Sequence, residues 1–339
     1  MARSRISDVA RRAGVSVATV SRVVNNSEHR VGEATRRRVL EAVRDLNYHP
    51  DILAQGLITG ASRVVALLVH DITDPYFQEI VRGAESVAAR AGYMAFLCNT
   101  DRSLQRERAY LMKLQQHRAE GVIVVGAGFP DDSHLTDFPD IRRRMVLVGR
   151  RHVDAPSVEV NNYDGARRMT EFLISVGHRN IAYIGGPQFL TTSQDRLRGF
   201  QDAMAEAGIR PKSHWIVAGD YSPQGGISAA EEIFRRKPHP SAIFAANDRM
   251  AIGVYAFVQG KGMRIPADVS VTGFGDIDMA TYLNPSLTTL RIPLHQMGEI
   301  AMQNLLRALV SKDEHLPVTR QLVDTELIER ESVRRIKKV

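Results

Sequence analysis

The sequence predicts a mixed α/β chain, with a small all-α domain at the N-terminus followed by a much larger part built from doubly wound parallel sheets. Three observations carry this. Residues 6 to 25 read as two short helices around a glycine, Gly14. From Val64 onward, short apolar runs alternate with amphipathic stretches. The length of 339 residues exceeds one ordinary domain, and 44% hydrophobic content supplies full cores.

At Gly14 a positive φ can end the first helix, and Ser16 can cap the free amides of the second. That arrangement is a helix-turn-helix, a unit that can enter the DNA major groove. On the second helix Val20 and Val24 lie four apart and face inward, leaving Val17, Ala18, Ser21, Arg22 and Asn25 on the outer side. Arg22 suits a bidentate pair with a guanine edge, and Val17 and Ala18 suit thymine methyls. Ser16, Thr19, Ser21 and Asn25 suit phosphates, which fix register rather than sequence. The turn alone would also fit a plain helical hairpin with a solvated arginine. Residues 33 to 46 add a third helix whose Val39, Val43 and Leu46 recur at helical spacing, forming a small core with Ile6, Val9, Val20 and Val24.

Charge agrees with this division. Residues 1 to 60 hold ten arginines against six acids, so four of the seven net positive charges fall in under a fifth of the chain. Basic charge concentrated in this way attracts a phosphate backbone. The opening MetAlaArgSerArg has no apolar signal core, and no run is long enough to cross a bilayer, so a cytoplasmic protein without a membrane partner is expected. The single Cys98 lies in the apolar run TyrMetAlaPheLeuCys and reads as a buried structural thiol. The histidines show no close metal-ligand spacing, so neither a metal nor another cofactor is expected.

The larger part begins with the run at 64 to 69, followed by Phe77, Ile80, Val81, Ala84 and Val87 at helical spacing and then the run ending at Cys98. Further runs follow at 121 to 125, 145 to 148, 180 to 184, 215 to 218, 242 to 246 and 269 to 272. Continuous apolar strands separated by helices indicate parallel sheets covered on both faces. There are too many strands for one small sheet, so two doubly wound lobes are expected.

In open parallel sheets ligands lie beyond the carboxyl ends of the strands. The residues after the runs are polar or aromatic: Asp71 with Tyr76 and Phe77, Arg150, Thr191 to Arg196, Asp220 and Tyr221, Asn247 and Asp248, and Gly275 with Asp276. Rings can stack on a sugar or base while amides, carboxylates and arginines bond its rim. Spacing leaves a second reading open, because Asp74 before Pro75 and Asn247 before a helix would cap well with no ligand.

The segment ValAlaThrValSerArgValValAsn at 17 to 25, continued through LeuAsnTyrHisPro at 46 to 50, resembles the DNA-binding domain of the LacI/GalR family of bacterial repressors, and the resemblance runs nearly the whole chain. It implies a helix-turn-helix domain over 1–50, a hinge helix over 51–60, and a two-lobed periplasmic-binding-protein-like domain over 61–339 whose chain crosses between lobes near 160, 291 and 322. In the family the hinge folds on the operator and a leucine wedges into the minor groove. Leu57 matches that leucine, while Asp51 replaces the usual asparagine and Gly56 weakens the hinge helix. By position, Tyr76 and Phe77, Arg196, Tyr221 and Asn247 match effector contacts, and Asp71, Arg150 and Asp276 complete the candidate set. Two carboxylates common among relatives are replaced here by Gly149 and Gly275. Their loss beside Arg150 and Arg196 suggests an effector carrying a carboxylate or phosphate, such as a sugar acid, although the glycines could simply make room for a bulkier neutral sugar.

The partners expected are double-stranded operator DNA, a small sugar or sugar-acid effector, and a second copy of the chain. The tail GluSerValArgArgIleLysLysVal has no heptads, which favours a dimer. A solute-binding protein of the same two-lobed fold would need export and no DNA-binding domain, the reverse of what is seen. An enzyme finds little support: Gly126 and Gly128 are half of a dinucleotide fingerprint, with Asp131 where the last glycine would stand, and no nucleophile–histidine–acid spacing stands out.

Overall fold

The computed structural model describes residues 4–24, 31–48, 62–311 and 318–336. The chain divides into two compact units, Met1–Arg63 and Val64–Val339.

In the first unit, helices α1 (Ile6–Ala13), α2 (Val17–Val24) and α3 (Glu33–Asp45) enclose a small core. Gly14 ends α1 at φ 64°, in the left-handed region that glycine adopts without steric cost. The Ser16 hydroxyl accepts the Thr19 amide at 3.2 Å, capping α2. Val9, Val20 and Val39 are fully buried, and Ile6, Val24, Val43 and Leu46 pack against them half-buried. Val23, which the spacing argument passed over, is buried more deeply than Val24, because positions three and four beyond Val20 share one helical face.

The second unit contains two parallel sheets. The first has strand order β11-β5-β4-β3-β1-β2. Its strands are β1 (Val64–Val69), β2 (Met94–Asn99), β3 (Gly121–Val125), β4 (Met145–Val148), β5 (Ser157–Val160) and β11 (Arg320–Val323). The second sheet has order β7-β6-β8-β9, from β6 (Ile181–Gly185), β7 (Ile216–Ala218), β8 (Ala242–Ala245) and β9 (Ser270–Thr272). An antiparallel pair, β10 (Thr289–Arg291) with β12 (Glu326–Ile328), forms a small sheet of its own, bridged through Arg291 and Gly275 to the chain leaving β9.

Side chains alternate along the central strands. Val65, Leu67 and Val69 of β1 join one core cluster, while Ala66 and Leu68 join another on the opposite face. Both faces are covered, so the strand reads as an unbroken apolar run. The edge strand β2 departs from the expectation. Its Met94, Phe96 and Leu97 are about half exposed, so the first sheet's edge carries apolar side chains that nothing in the chain covers among the described residues.

The chain passes between sheets three times. It leaves β5 for helix α7 (Asn162–Ser175), which packs on α8 (Thr191–Glu206) beside the second sheet. It returns from β10 into α12 (Leu294–Val310), which packs on α4 (Pro75–Arg90) of the first lobe. Finally β11 pairs with β5 before the chain continues into β12. The α4–α12 crossing is close because glycines meet carbonyls: a Cβ on Gly83 would overlap the His295 carbonyl, and one on Gly298 the Ile80 carbonyl.

Candidate functional site

Two places bring the candidate residues together. On α2, Ser16, Val17, Ala18 and Arg22 are exposed along one side, and Thr19 and Ser21 are half-buried beside them. The Ser16 and Thr19 hydroxyls bond one another at 2.9 Å. Arg22 makes no ion pair among the described residues, so its five donors are open to a partner. The exposed Val17 is apolar surface that water gains nothing from solvating, as a thymine contact needs. Asn25 and Leu57 lie outside the described residues.

The second place is a cavity of about 410 Å³ between the two lobes, at the carboxyl ends of both sheets. Its lining includes Tyr76, Phe77, Arg150, Arg196, Tyr221 and Asn247 from the candidate set. Tyr76 and Phe77 open α4, where Asp74 caps the helix by accepting the Tyr76 amide at 3.1 Å and Pro75 takes the first turn. Their rings meet edge to face with centroids 5.1 Å apart. Burial pushes the Tyr76 hydroxyl up to about 12, so it stays a neutral donor.

Arg196, on α8, is the centre of the second-lobe wall. Its Nε donates to Asn162 Oδ1 at 2.8 Å, its Nη1 donates to the Ala246 carbonyl, and its guanidinium stacks on Phe274 at 3.7 Å. No carboxylate lies within ion-pairing distance of it among the described residues, and Nη2 opens to the cavity without a hydrogen bond. A buried guanidinium held by neutral groups alone is a site for an anion.

Tyr221 holds its ring over the cavity through a left-handed backbone, φ 67°, with its hydroxyl on Ser193 at 2.7 Å and its carbonyl accepting from Asn247 Nδ2 at 3.0 Å. A non-glycine residue in that region costs about 1–3 kcal/mol, a strain typical of binding sites. Asn247 also caps helix α10 (Asp248–Gly260), accepting the Met250 amide at 2.9 Å, so the capping and lining readings are both true of it. Arg150 reaches across the cavity to Asp195 at 3.4 Å.

Asp71 and Asp276 do not belong to the lining. Asp71 turns into its own loop, accepting from the Thr73 amide and hydroxyl at 2.9 and 2.6 Å. Asp276, at φ 56°, points away from the cavity into ion pairs with Arg291 at 2.8 Å and Arg330 at 2.7 Å. Residues flanking a strand end alternate in direction, so their neighbours face the ligand space instead. His70 precedes Asp71 and lines the cavity, as Gly275 and Ile277 do on either side of Asp276. The lining also holds Phe129, after β3, Phe189, after β6, and Arg249, beside Asn247. Phe129 follows the run at 121 to 125, an end the strand rule also covers, while Phe189 and Arg249 stand close to Thr191 and next to Asp248 at ends already considered.

Gly149 and Gly275 hold φ values of 104° and 146°, conformations that side chains rarely adopt. A carboxylate at either position would strain this backbone.

Residues 5–51 match the family described as bacterial regulatory proteins, lacI family, and residues 170–333 match a periplasmic binding protein-like domain. An HTH-type transcriptional repressor PurR from Edwardsiella ictaluri (strain 93-146) is 35% identical over 331 residues, covering 97% of this chain and 96% of that one. The PurR repressor of Proteus mirabilis (strain HI4320) is 36% identical over 333 residues, with 97% and 96% covered. The chain belongs to the LacI family. Among solved structures, the lac repressor dimer bound to operator and the anti-inducer ONPF aligns with a TM-score of 0.87 at 26% identity, covering 98% of this chain and all of that one. A complex of the transcriptional regulator CelR with cellobiose aligns at 0.73 and 29% identity over 97% of this chain. As a LacI-family member the protein is a DNA-binding transcriptional repressor under effector control. No helix among the described residues is long and apolar enough to cross a membrane.

Proposed function

We propose that the protein binds an inverted-repeat operator as a homodimer, and that a small sugar acid in the cleft sets whether it does so. The observation that carries the effector class is Arg196, buried in the cavity with no carboxylate partner among the described residues. A ligand carboxylate would supply the missing charge, and the rings of Tyr76, Phe77 and Tyr221 would cover its apolar face. Gly149 and Gly275 themselves present no carboxylate to oppose it.

The dimer reading draws on the uncovered edge strand. Met94 and Phe96 on one side of β2 and Leu97 on the other, with Met112 on the helix that follows it, make an exposed apolar edge that a second copy would cover. Helix-turn-helix dimers read pseudo-palindromic sites, so one Arg22 per half-site is expected. The effector acts by linkage, binding one arrangement of the lobes better than the other. The reading includes no catalytic step, and it places the chain with the chromosome in the cytoplasm, with Leu57 as the minor-groove wedge.

The test combines two measurements. Thermal shift with D-glucose, D-gluconate, D-galactose and D-galacturonate identifies the ligand class, and fluorescence anisotropy on inverted-repeat fragments is repeated with each ligand. Stronger stabilisation by an acid than by its neutral counterpart, with altered operator affinity, supports the reading. Tighter binding of the neutral members removes the sugar acid, and a monomer on DNA removes the dimer.

A further inference from the structure

A buried ionic cluster in the first lobe, absent from the candidate set, borders the cavity through a single histidine. Arg151 is fully buried and uses every donor it has. Its Nε donates to the Gly126 carbonyl at 3.2 Å, and Nη1 donates to Glu107 at 3.0 Å and Asp132 at 2.9 Å. Nη2 donates to Glu107 at 3.1 Å and contacts His70 Nε2 at 3.0 Å. Glu107 is fully buried as well and accepts from His134 at 2.8 Å. Burial opposes its charge, but the bonds from His134 and the adjacent Arg151 hold its carboxyl far below the usual range.

We propose that His70 is an effector-contacting residue held in one tautomer, a neutral imidazole whose Nδ1–H reaches into the cleft and selects a hydrogen-bond acceptor on the ligand. Arg151 never gives up a proton in a protein. At 3.0 Å from Nη2, His70 Nε2 must therefore be the acceptor, which leaves the proton on Nδ1. Glu107 lies 3.7 Å from the same nitrogen, too far to compete for it. Burial, with the Arg151 charge adding to it, outweighs the opposing pull of the Glu107 carboxylate and lowers the His70 pKa, so the ring is neutral at physiological pH. The ring is fixed in orientation by Phe129, at 5.5 Å, and Phe77, at 6.2 Å. Nδ1 has no hydrogen-bond partner among the described residues and packs beside Gly126, where a Cβ would come within 2.7 Å of it; both residues line the cavity.

The cleft thus offers two fixed donors from opposite lobes, His70 Nδ1–H and Arg196 Nη2. A ligand that satisfies both presents an acceptor at each end, such as a carboxylate for Arg196 and a hydroxyl or ring oxygen for His70. Amines and other donor-only groups are rejected at His70, because the buried Nδ1–H would be left unpaired. Arg151, Glu107 and Asp132 touch no ligand in this scheme. They are positioning residues that fix which nitrogen carries the proton.

This proposal rests on the cavity being the effector site, and its test separates the two. Nitrogen-15 spectra of the histidine rings in the full chain, with His70 assigned by comparison with His70→Gln, report the tautomer without any ligand. The expected result at pH 7.5 is a protonated Nδ1 and a bare Nε2, and a protonated Nε2 overturns the proposal. Titration with D-gluconate, D-galacturonate and D-glucose then reads the contact. Any compound that binds should lose about tenfold in affinity in His70→Phe and recover most of it in His70→Asn, whose amide places a donor near Nδ1. Unchanged affinity in His70→Phe overturns the contact. If no compound binds the wild type, the sugar-acid reading fails, and the tautomer measurement alone decides for or against His70.

Discussion

Asp74 and Arg249 meet across the cleft at 2.8 Å, one at the start of α4 in the first lobe and the other in α10 of the second. Asp74 is almost fully buried and spends its other oxygen capping α4, so its position is fixed before the pair forms. The pair is therefore an inter-lobe tie with one end already ordered, unlike an exposed bridge in which both side chains must give up freedom. Arg150 and Asp195 make a second ion pair between the lobes, and all four residues line the ligand space. A double-mutant cycle with Asp74→Asn and Arg249→Met, followed by urea unfolding, should give a coupling energy of about 1 kcal/mol. Asparagine keeps the cap, so the cycle isolates the charge. Strict additivity of the two changes would show that the tie contributes nothing.

The α4–α12 crossing makes a second prediction. Because a Cβ on Gly298 would overlap the Ile80 carbonyl and come within 2.8 Å of the Ala84 amide, the helices would have to separate to admit even a methyl group. Gly298→Ala should cost on the order of 3 kcal/mol, well beyond any gain in helix propensity. Gly260→Ala, at a position with nothing within 4 Å, should change stability by less than about 1 kcal/mol. Equal midpoints for the two variants in thermal unfolding would refute the close-packing account.

A third prediction concerns the exposed face of α2. Arg22 has no ion pair among the described residues, so replacing it with alanine removes no intramolecular partner and should leave the unfolding midpoint unchanged. Discrimination should fall by about 1–3 kcal/mol at one base pair of each half-site, measured by anisotropy across a set of single-substitution operators. A uniform loss across all operators would mean that Arg22 contacts phosphate rather than a base.

How far the sequence foretold this molecule depended on whether a residue's neighbours along the chain decide its environment. Strands β1, β3 and β4 were legible because both faces are buried and the apolar run is unbroken. Strand β5 was not, since Ser157 and Glu159 interrupt it; they are buried only because Ser157 bonds Glu159 at 2.7 Å and Arg320, 161 positions away, pairs with that carboxylate. In the cleft, Tyr76 and Arg196 lie where strand-end reasoning looks for ligand contacts. Asp71 and Asp276 show the limit of that reasoning, because position after a strand does not fix direction, and Thr73, Arg291 and Arg330 turn them aside. Nothing local marked Arg151 as buried and Arg150 as only half-buried; the distinction comes from Glu107 and Asp132, which meet Arg151 only once the lobe has folded.

Acid and base should unsettle this fold through different residues. His178 is fully buried between Ser241, at 2.9 Å, and the Arg334 carbonyl, at 3.1 Å, and burial lowers its pKa to about 4. Its folded-state value lies below the unfolded one, so its contribution is complete above the unfolded pKa and is lost as pH falls toward 4, about 2 kcal/mol between pH 8 and pH 5. Asp248 runs the other way. Burial, with the nearby charge of Asp276 adding to it, pushes its carboxyl up to about 6, so its contribution is largest in acid and is lost as pH rises through 6, about 1 kcal/mol over the same window. The two partly cancel in the wild type, and single variants should expose each slope. Relative to wild type, His178→Gln should be most destabilised at pH 8 and least at pH 5, whereas Asp248→Asn should gain stability toward pH 8. Urea unfolding at the two pH values measures both, and parallel shifts of wild type and variants would show that neither group titrates differently on folding.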